Sequence, residues 1–200
     1  MTKQKNRLDY QVVLDLVEDG AKVLDLGCGN GELLEMLTQQ RDALCQGIEI
    51  EASAISDCMA RGVSAIQGDL DQGLDDYPDQ SFDYVVLNQT LQAVKAPDKV
   101  LEEMVRVGKN GIVGFPNFGH WSTRLHLLLK GRMPITNDLP YCWYDTPNIH
   151  LLTIKDLEDF CHKANITIKK KIFLANNKLV KSKALYNLRA TSAVFLITKN

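Results

Sequence analysis

The sequence predicts an α/β protein with a doubly wound, mostly parallel sheet and helices on both faces. Three observations carry that prediction. The stretch Val23-Leu24-Asp25-Leu26-Gly27-Cys28-Gly29-Asn30-Gly31 reads as a strand that breaks into alternating glycines and restarts as a helix. Short apolar runs, too brief for helices, alternate along the chain with segments whose apolar residues recur at helical spacing. No Pro/Ser/Gly-rich linker interrupts the 200 residues, and 45% apolar content suffices for a sizeable core, so residues 1–200 read as one domain.

Residues 8–18 place Leu8, Val12 and Leu16 at near-helical spacing, which predicts a lead-in helix that covers the sheet and closes one side of a ligand crevice. Val23, Leu24 and Leu26 then suit a buried parallel strand, and Leu33, Leu34 and Leu37 a helix behind Gly31. Glycines at such a turn let the backbone reverse tightly and let a ligand approach without meeting a Cβ. The next helix offers unpaired N–H groups and a partial positive charge, so a carboxylate-bearing or anionic ligand is expected there; the alternative is a glycine-rich turn that binds nothing. A dinucleotide fingerprint would need a third glycine at the position of Glu32, and a carboxylate in the first helical turn is poor company for a pyrophosphate.

Residues 44–50 predict a second strand that ends in Glu49 and Ile50. An acid about twenty residues past the glycine turn is where a ribose is held by its hydroxyls, which makes Glu49 the expected ribose ligand. A helix over 52–60 closes with Arg61-Gly62. The third strand, 64–67, runs into Gly68-Asp69-Leu70, where Asp69 either meets a ligand or only caps a turn. Residues 82–87 form the fourth strand and deliver Asn88 and Gln89 to the carboxyl edge, either to line the crevice or only to cap the next helix. A helix over 97–107 has Pro97 in its first turn, and 111–115 is a fifth strand.

Between about 116 and 152 the alternation lapses. Ser122 is a candidate N-cap for the leucine-rich run 124–130, which Gly131 stops. A Pro-rich aromatic loop comes next, with Pro134, Pro140, Trp143, Tyr144, Asp145, Pro147 and His150. Long irregular connections in compact domains tend to be functional, so recognition of an acceptor or partner is expected from His120, Trp121, Trp143, Tyr144 and His150. The alternative is that the aromatic residues fill a second small core under the helix. Regularity returns with a helix over 153–165 capped by Thr153, then two strands near 168–174 and 193–198 joined by a basic segment.

Charge is divided unevenly. The first hundred residues carry a net −10 and the second hundred +8. Lys169, Lys170, Lys171, Lys178, Lys181, Lys183 and Arg189 have no acid among them. A solvated strand edge kept from aggregating by lysines is preferred to an anion-binding patch. Nucleic acid is disfavoured because aromatic residues are not interleaved with those lysines. Five cysteines with no C-x-x-C pairing suggest neither a disulfide framework nor a metal site. A polar, basic start without an apolar segment, and no run of membrane-spanning length, imply a reduced cytoplasmic protein.

The G-x-G-x-G turn with Asp25 two residues before it resembles motif I of the class I S-adenosylmethionine-dependent methyltransferases. That resemblance implies a Rossmann-like, seven-stranded sheet with an antiparallel last strand, and S-adenosylmethionine or S-adenosylhomocysteine as ligand. It implies a cofactor set of Asp25, Gly27, Cys28, Gly29, Gly31, Glu49, Ile50, Asp69, Leu70, Asn88 and Gln89, with Asp25 near the ammonium end, Asp69 facing the adenine amino group and the Leu70 backbone at the ring edge. A narrower resemblance, to the MetW family, rests on five segments in order: 67–71 (QGDLD), 88–94 (NQTLQAV), 115–121 (FPNFGHW), 131–134 (GRMP) and 143–150 (WYDTPNIH). It implies a methyltransferase-like accessory protein of methionine biosynthesis, needed for the activity of a homoserine O-acyltransferase, MetX. The alternative is an active methyltransferase on a small-molecule acceptor. The accessory reading is favoured because no acid is placed by sequence to orient His120 or His150 as a base.

Overall fold

A computed structural model describes residues 7–136, 139–180 and 184–199. Eight strands form one sheet: β1 (Lys22–Leu26), β2 (Leu44–Glu49), β3 (Ser64–Gln67), β4 (Phe82–Asn88), β5 (Gly108–Pro116), β6 (Ile166–Ala175), β7 (Lys178–Leu179) and β8 (Ser192–Lys199). Their spatial order is β3-β2-β1-β4-β5-β8-β6-β7. The first five run parallel, and β8 is inserted antiparallel between β5 and β6. Seven of these are the expected strands. The eighth, β7, pairs only Leu174–Ala175 with Leu179–Lys178 across Asn176 and Asn177, both at positive φ, a two-residue hairpin turn whose strand is too short to show periodicity.

Helices cover both faces because the buried strand residues alternate. Val23, Tyr84, Val86, Ile112 and Val194 pack on one face against α1 (Leu8–Leu16) and α2 (Glu32–Arg41). Leu24, Leu26, Val85, Leu87, Val113 and Phe195 pack on the other with α4 (Pro97–Val107) and α6 (Ile154–Lys163). A smaller cluster of Leu34, Ile55, Cys58, Val63 and Ala65 seats α3 (Ala52–Ala60) over β2 and β3. The lead-in helix is shorter than expected, since Val17 leaves the helical conformation.

Two further helices lie among the described residues, α5 (Trp121–Lys130) and the short α7 (Tyr186–Arg189). The N-cap of α5 is His120, whose Nδ1 accepts the Ser122 N–H at 3.4 Å, so Ser122 does not fill the capping position expected of it; an imidazole reaches the second amide as a hydroxyl would. Gly131 ends α5 in the left-handed conformation, and Thr153 with Asp156 forms a capping box on α6. In the basic segment Lys169 donates to Asn110 Oδ1 at 2.8 Å and Lys171 pairs with Glu158 at 2.7 Å, while Lys181 and Lys183, like residues 1–6, lie outside the described residues. Among the described residues no helix is long and apolar enough to cross a membrane.

Candidate ligand-binding crevice

Parallel strands deliver their carboxyl ends to one edge, and strand register aligns the candidates there. Leu26 pairs with Ile48 and Glu49 with Gln67, while Asn88 pairs with Gly114 and ends β4 beside the turn after β1. The turn is built by three left-handed glycines, Gly27, Gly29 and Gly31. Gly27 and Cys28 both donate to Ile48 O, at 2.8 and 3.1 Å, and Gly31 donates to Cys28 O at 3.0 Å. A Cβ at Gly27 would fall 2.6 Å from Thr90 Cγ2, and one at Gly31 2.8 Å from both Cys58 Sγ and Val63 Cγ2. At Gly29 a Cβ would meet nothing within 4 Å. The turn is thus packed at its two flanks and open at its middle. Cys28 fills the space beneath it, with its sulfur 3.9 Å from that of Cys58 and its thiol held protonated chiefly by burial.

Two carboxylates belong to the strands around this turn. Glu49 Oε2 accepts the Gly29 N–H at 2.8 Å, and Oε1 accepts those of Ile50 and Glu51 at 2.8 and 3.1 Å. Asp25, in β1 two residues before Gly27, is only 3% exposed. Burial pushes its pKa up to about 7, the Glu49 charge adds to the rise, and Arg7 opposes it.

Arg7, with Asp9 and Tyr10, forms a polar cluster that the periodicity of the lead-in segment did not reveal. Its guanidinium forks onto Asp9, with N···O distances of 2.6 and 3.3 Å, and donates to the Tyr10 hydroxyl at 2.7 Å. Asp9 in turn accepts from Asn88 Nδ2 at 2.9 Å, which ties the start of α1 to the end of β4. Burial pushes the Tyr10 phenol up to about 12 against the opposing Arg7 charge, with further increments from Asp25 and Asp9. Polar residues at the amino end of the helix thus tie it to the end of β4.

Asp69 accepts the Asp71 N–H at 3.0 Å and caps a short 3₁₀ turn, Leu70–Gln72. Ile50 is largely exposed at the strand end, whereas Leu70 is half-buried. Leu26 and Leu70 also line a cavity of about 440 Å³ between that turn and α4, with Leu74, Val100, Lys99 and Glu103 among its walls. This cavity adjoins the glycine turn without including any of its residues.

The loop after β4 links the crevice to the 116–152 segment. Gln89 has φ of 60° and donates its N–H to Gly114 O at 2.7 Å. Thr90 packs on Gly27, and Gln92 O accepts the N–H groups of Ile149 and His150 at 2.8 and 3.0 Å. The ends of the segment are clamped by Asn117, 2% exposed, whose side chain donates to Asn187 O and Ala190 O and accepts from Gly119 and Ile154. Within it Trp143 and Tyr144 are 78% and 72% exposed and meet edge to face, and Trp121 is also exposed. They do not fill a small core. His150 Nε2 is buried without a hydrogen-bond partner, and His120 spends Nδ1 on Ser122, so the structure does not gather the recognition residues into one cluster around an acid.

A family model described as methionine biosynthesis protein MetW matches residues 7–197. The bifunctional methionine biosynthesis protein MetXA/MetW of Rhodopirellula baltica is 35% identical over 175 residues, which are 83% of this chain and 28% of that protein. Ajmaline N-methyltransferase of Rauvolfia serpentina is 33% identical over 97 residues, 44% of this chain and 33% of that enzyme. The chain therefore spans less than a third of the first relative and a third of the second. Among solved structures, an S-adenosylmethionine-dependent methyltransferase from Mesorhizobium loti superposes with a TM-score of 0.71 at 13% identity, covering 96% of this chain and 98% of that one. One from Thermotoga maritima, described as a possible histamine N-methyltransferase, gives 0.68 at 19% identity, with 96% and 87% covered. These structures share the Rossmann-like methyltransferase fold.

Proposed function

The chain belongs to the MetW family of methionine biosynthesis proteins, and on that footing we propose that it is an S-adenosylmethionine-binding subunit that works beside a homoserine O-acyltransferase. The ligand part of the reading is carried by one observation, the Glu49 carboxylate fastened to the Gly29 amide at the open middle of the glycine turn. Three backbone donors occupy Glu49, which leaves one of roughly four acceptor directions for a ribose hydroxyl. Asp25 offers an anion to the ammonium group of the ligand, with Arg7 as its competitor. On this reading Asp69 and Leu70 would meet the adenine ring, and Asn88 and Gln89 would lie near the transferable methyl group. A cytoplasmic setting suits five free thiols.

The partner part is supported by the joining of MetXA and MetW in the Rhodopirellula protein and by the exposed pair Trp143 and Tyr144, residue types that concentrate binding energy in interfaces. Methyl transfer to a small-molecule acceptor is the second reading. The likeness to an N-methyltransferase favours it, and it would need mostly orientation of donor and acceptor rather than a base. The loop histidines give it no further support, because His120 caps α5 and His150 Nε2 meets no partner.

Titration calorimetry tests the ligand. Heat is expected with S-adenosylhomocysteine and none with NAD; folded protein silent toward both S-adenosylmethionine and S-adenosylhomocysteine overturns the reading.

A further inference from the structure

Helix α5 buries almost nothing of itself. Thr123 is its only buried residue, although Trp121, Leu125, Leu128 and Leu129 fall at i, i+4, i+7 and i+8, the spacing of an apolar stripe that normally faces a core. Here that stripe faces solvent, with Leu128 81% and Leu129 72% exposed. A contiguous apolar face on a well-capped helix marks a recognition surface, and this pattern is the one an amphipathic helix lays into a groove. The stripe is flanked by Arg124, Lys130 and Arg132, with no Asp or Glu anywhere from 116 to 136.

That charge pattern selects the occupant. Two copies packed stripe to stripe around a twofold axis would set like cations against each other, so a second copy of this chain is disfavoured. A different polypeptide with an apolar groove and an acidic rim meets both features. In the Rhodopirellula relative a different polypeptide, the MetXA part, is carried in the same chain. We propose that α5 is a docking helix whose Trp121, Leu125, Leu128 and Leu129 seat in an apolar, acid-rimmed groove of the acyltransferase subunit. This inference rests on the accessory reading and adds to Trp143 and Tyr144 a further surface for the partner, apart from the ligand crevice.

The experiment compares the full chain with a Leu128→Asp, Leu129→Asp double variant. Both positions are exposed, so the fold and the S-adenosylhomocysteine affinity should stay unchanged. Gel filtration and a binding titration against the purified acyltransferase of the same organism should show association weakened about tenfold or more, as expected when the centre of an interface acquires unpaired charge. A variant that associates as tightly as the wild type overturns the docking helix and leaves the partnership standing. A wild-type chain that does not associate at all overturns the partnership and the docking helix together. Self-association of the wild type that the double variant abolishes, or wild-type binding to anionic phosphatidylglycerol vesicles that the variant loses, assigns the stripe to a second copy or to a lipid surface and also overturns the proposal.

Discussion

Glu49 holds the Gly29 amide at 2.8 Å, joining the end of β2 to the middle of the glycine turn after β1. The same carboxylate gathers the amides of Ile50 and Glu51, so one side chain sets the shape of the loop and presents what remains of its charge to the crevice. Glu49→Ala should therefore weaken S-adenosylhomocysteine binding by roughly 1 to 3 kcal/mol, the cost of leaving polar groups unsatisfied. Calorimetry reads it, with Glu51→Ala as the neighbouring control that should change little.

The glycines of the turn should separate into two kinds of position. Gly29 has φ of 54° and open space around it, so Gly29→Val strains the backbone and fills ligand space, abolishing binding while the sheet persists. Gly31 would drive a Cβ against Cys58 and Val63, so Gly31→Ala should lower stability by about 1 to 3 kcal/mol. Thermal melting with and without S-adenosylhomocysteine distinguishes the two. A Gly29→Val variant that binds normally would remove the turn from the ligand site.

How much of the fold and site was legible in sequence depended on the range of the interactions. The turn and Glu49 were readable because glycine spacing and an acid about twenty residues on are short-range signals within one βαβ unit. Arg7, Asp9 and Tyr10 escaped because what places them is a contact between α1 and Asn88, 79 residues away, and the periodicity of α1 reports only its buried face. The cap of α5 was misplaced because imidazole is an uncommon capping group. The leucine-rich run of α5 was visible, but a run of leucines does not say whether it meets the protein's own core or another surface.

Asp25 gives the crevice a pH dependence. Its folded value of about 7 lies above the 3.8 of an ordinary carboxyl, so the folded state binds this proton more tightly than the unfolded chain. Its contribution to stability therefore falls as pH rises from about 4 to about 7, and Asp25→Asn should remove that slope. A ligand ammonium paired with the carboxylate would draw its proton off. Affinity for S-adenosylhomocysteine should rise between about pH 6 and pH 8 in the wild type and stay flat in Asp25→Asn, as measured by titration calorimetry in buffers of differing ionisation enthalpy.

Asn117 should govern the order of the aromatic segment. It is buried, and its side chain makes four hydrogen bonds that fasten both ends of residues 118–152. Asn117→Ala leaves those backbone groups unpaired and should cost about 2 to 4 kcal/mol. Hydrogen exchange should accelerate in residues 143–150 before it does in β1 or β4.

The accessory role is tested most directly by the rate of homoserine acylation catalysed by the acyltransferase of the same organism, alone and with this chain at equimolar concentration. The expected result is a higher rate on mixing, with co-elution of the two proteins, and a loss of about 2 kcal/mol or more of association in Trp143→Ala or Tyr144→Ala. An acyltransferase equally active without this chain, and eluting apart from it, would contradict the role and promote methyl transfer in its place.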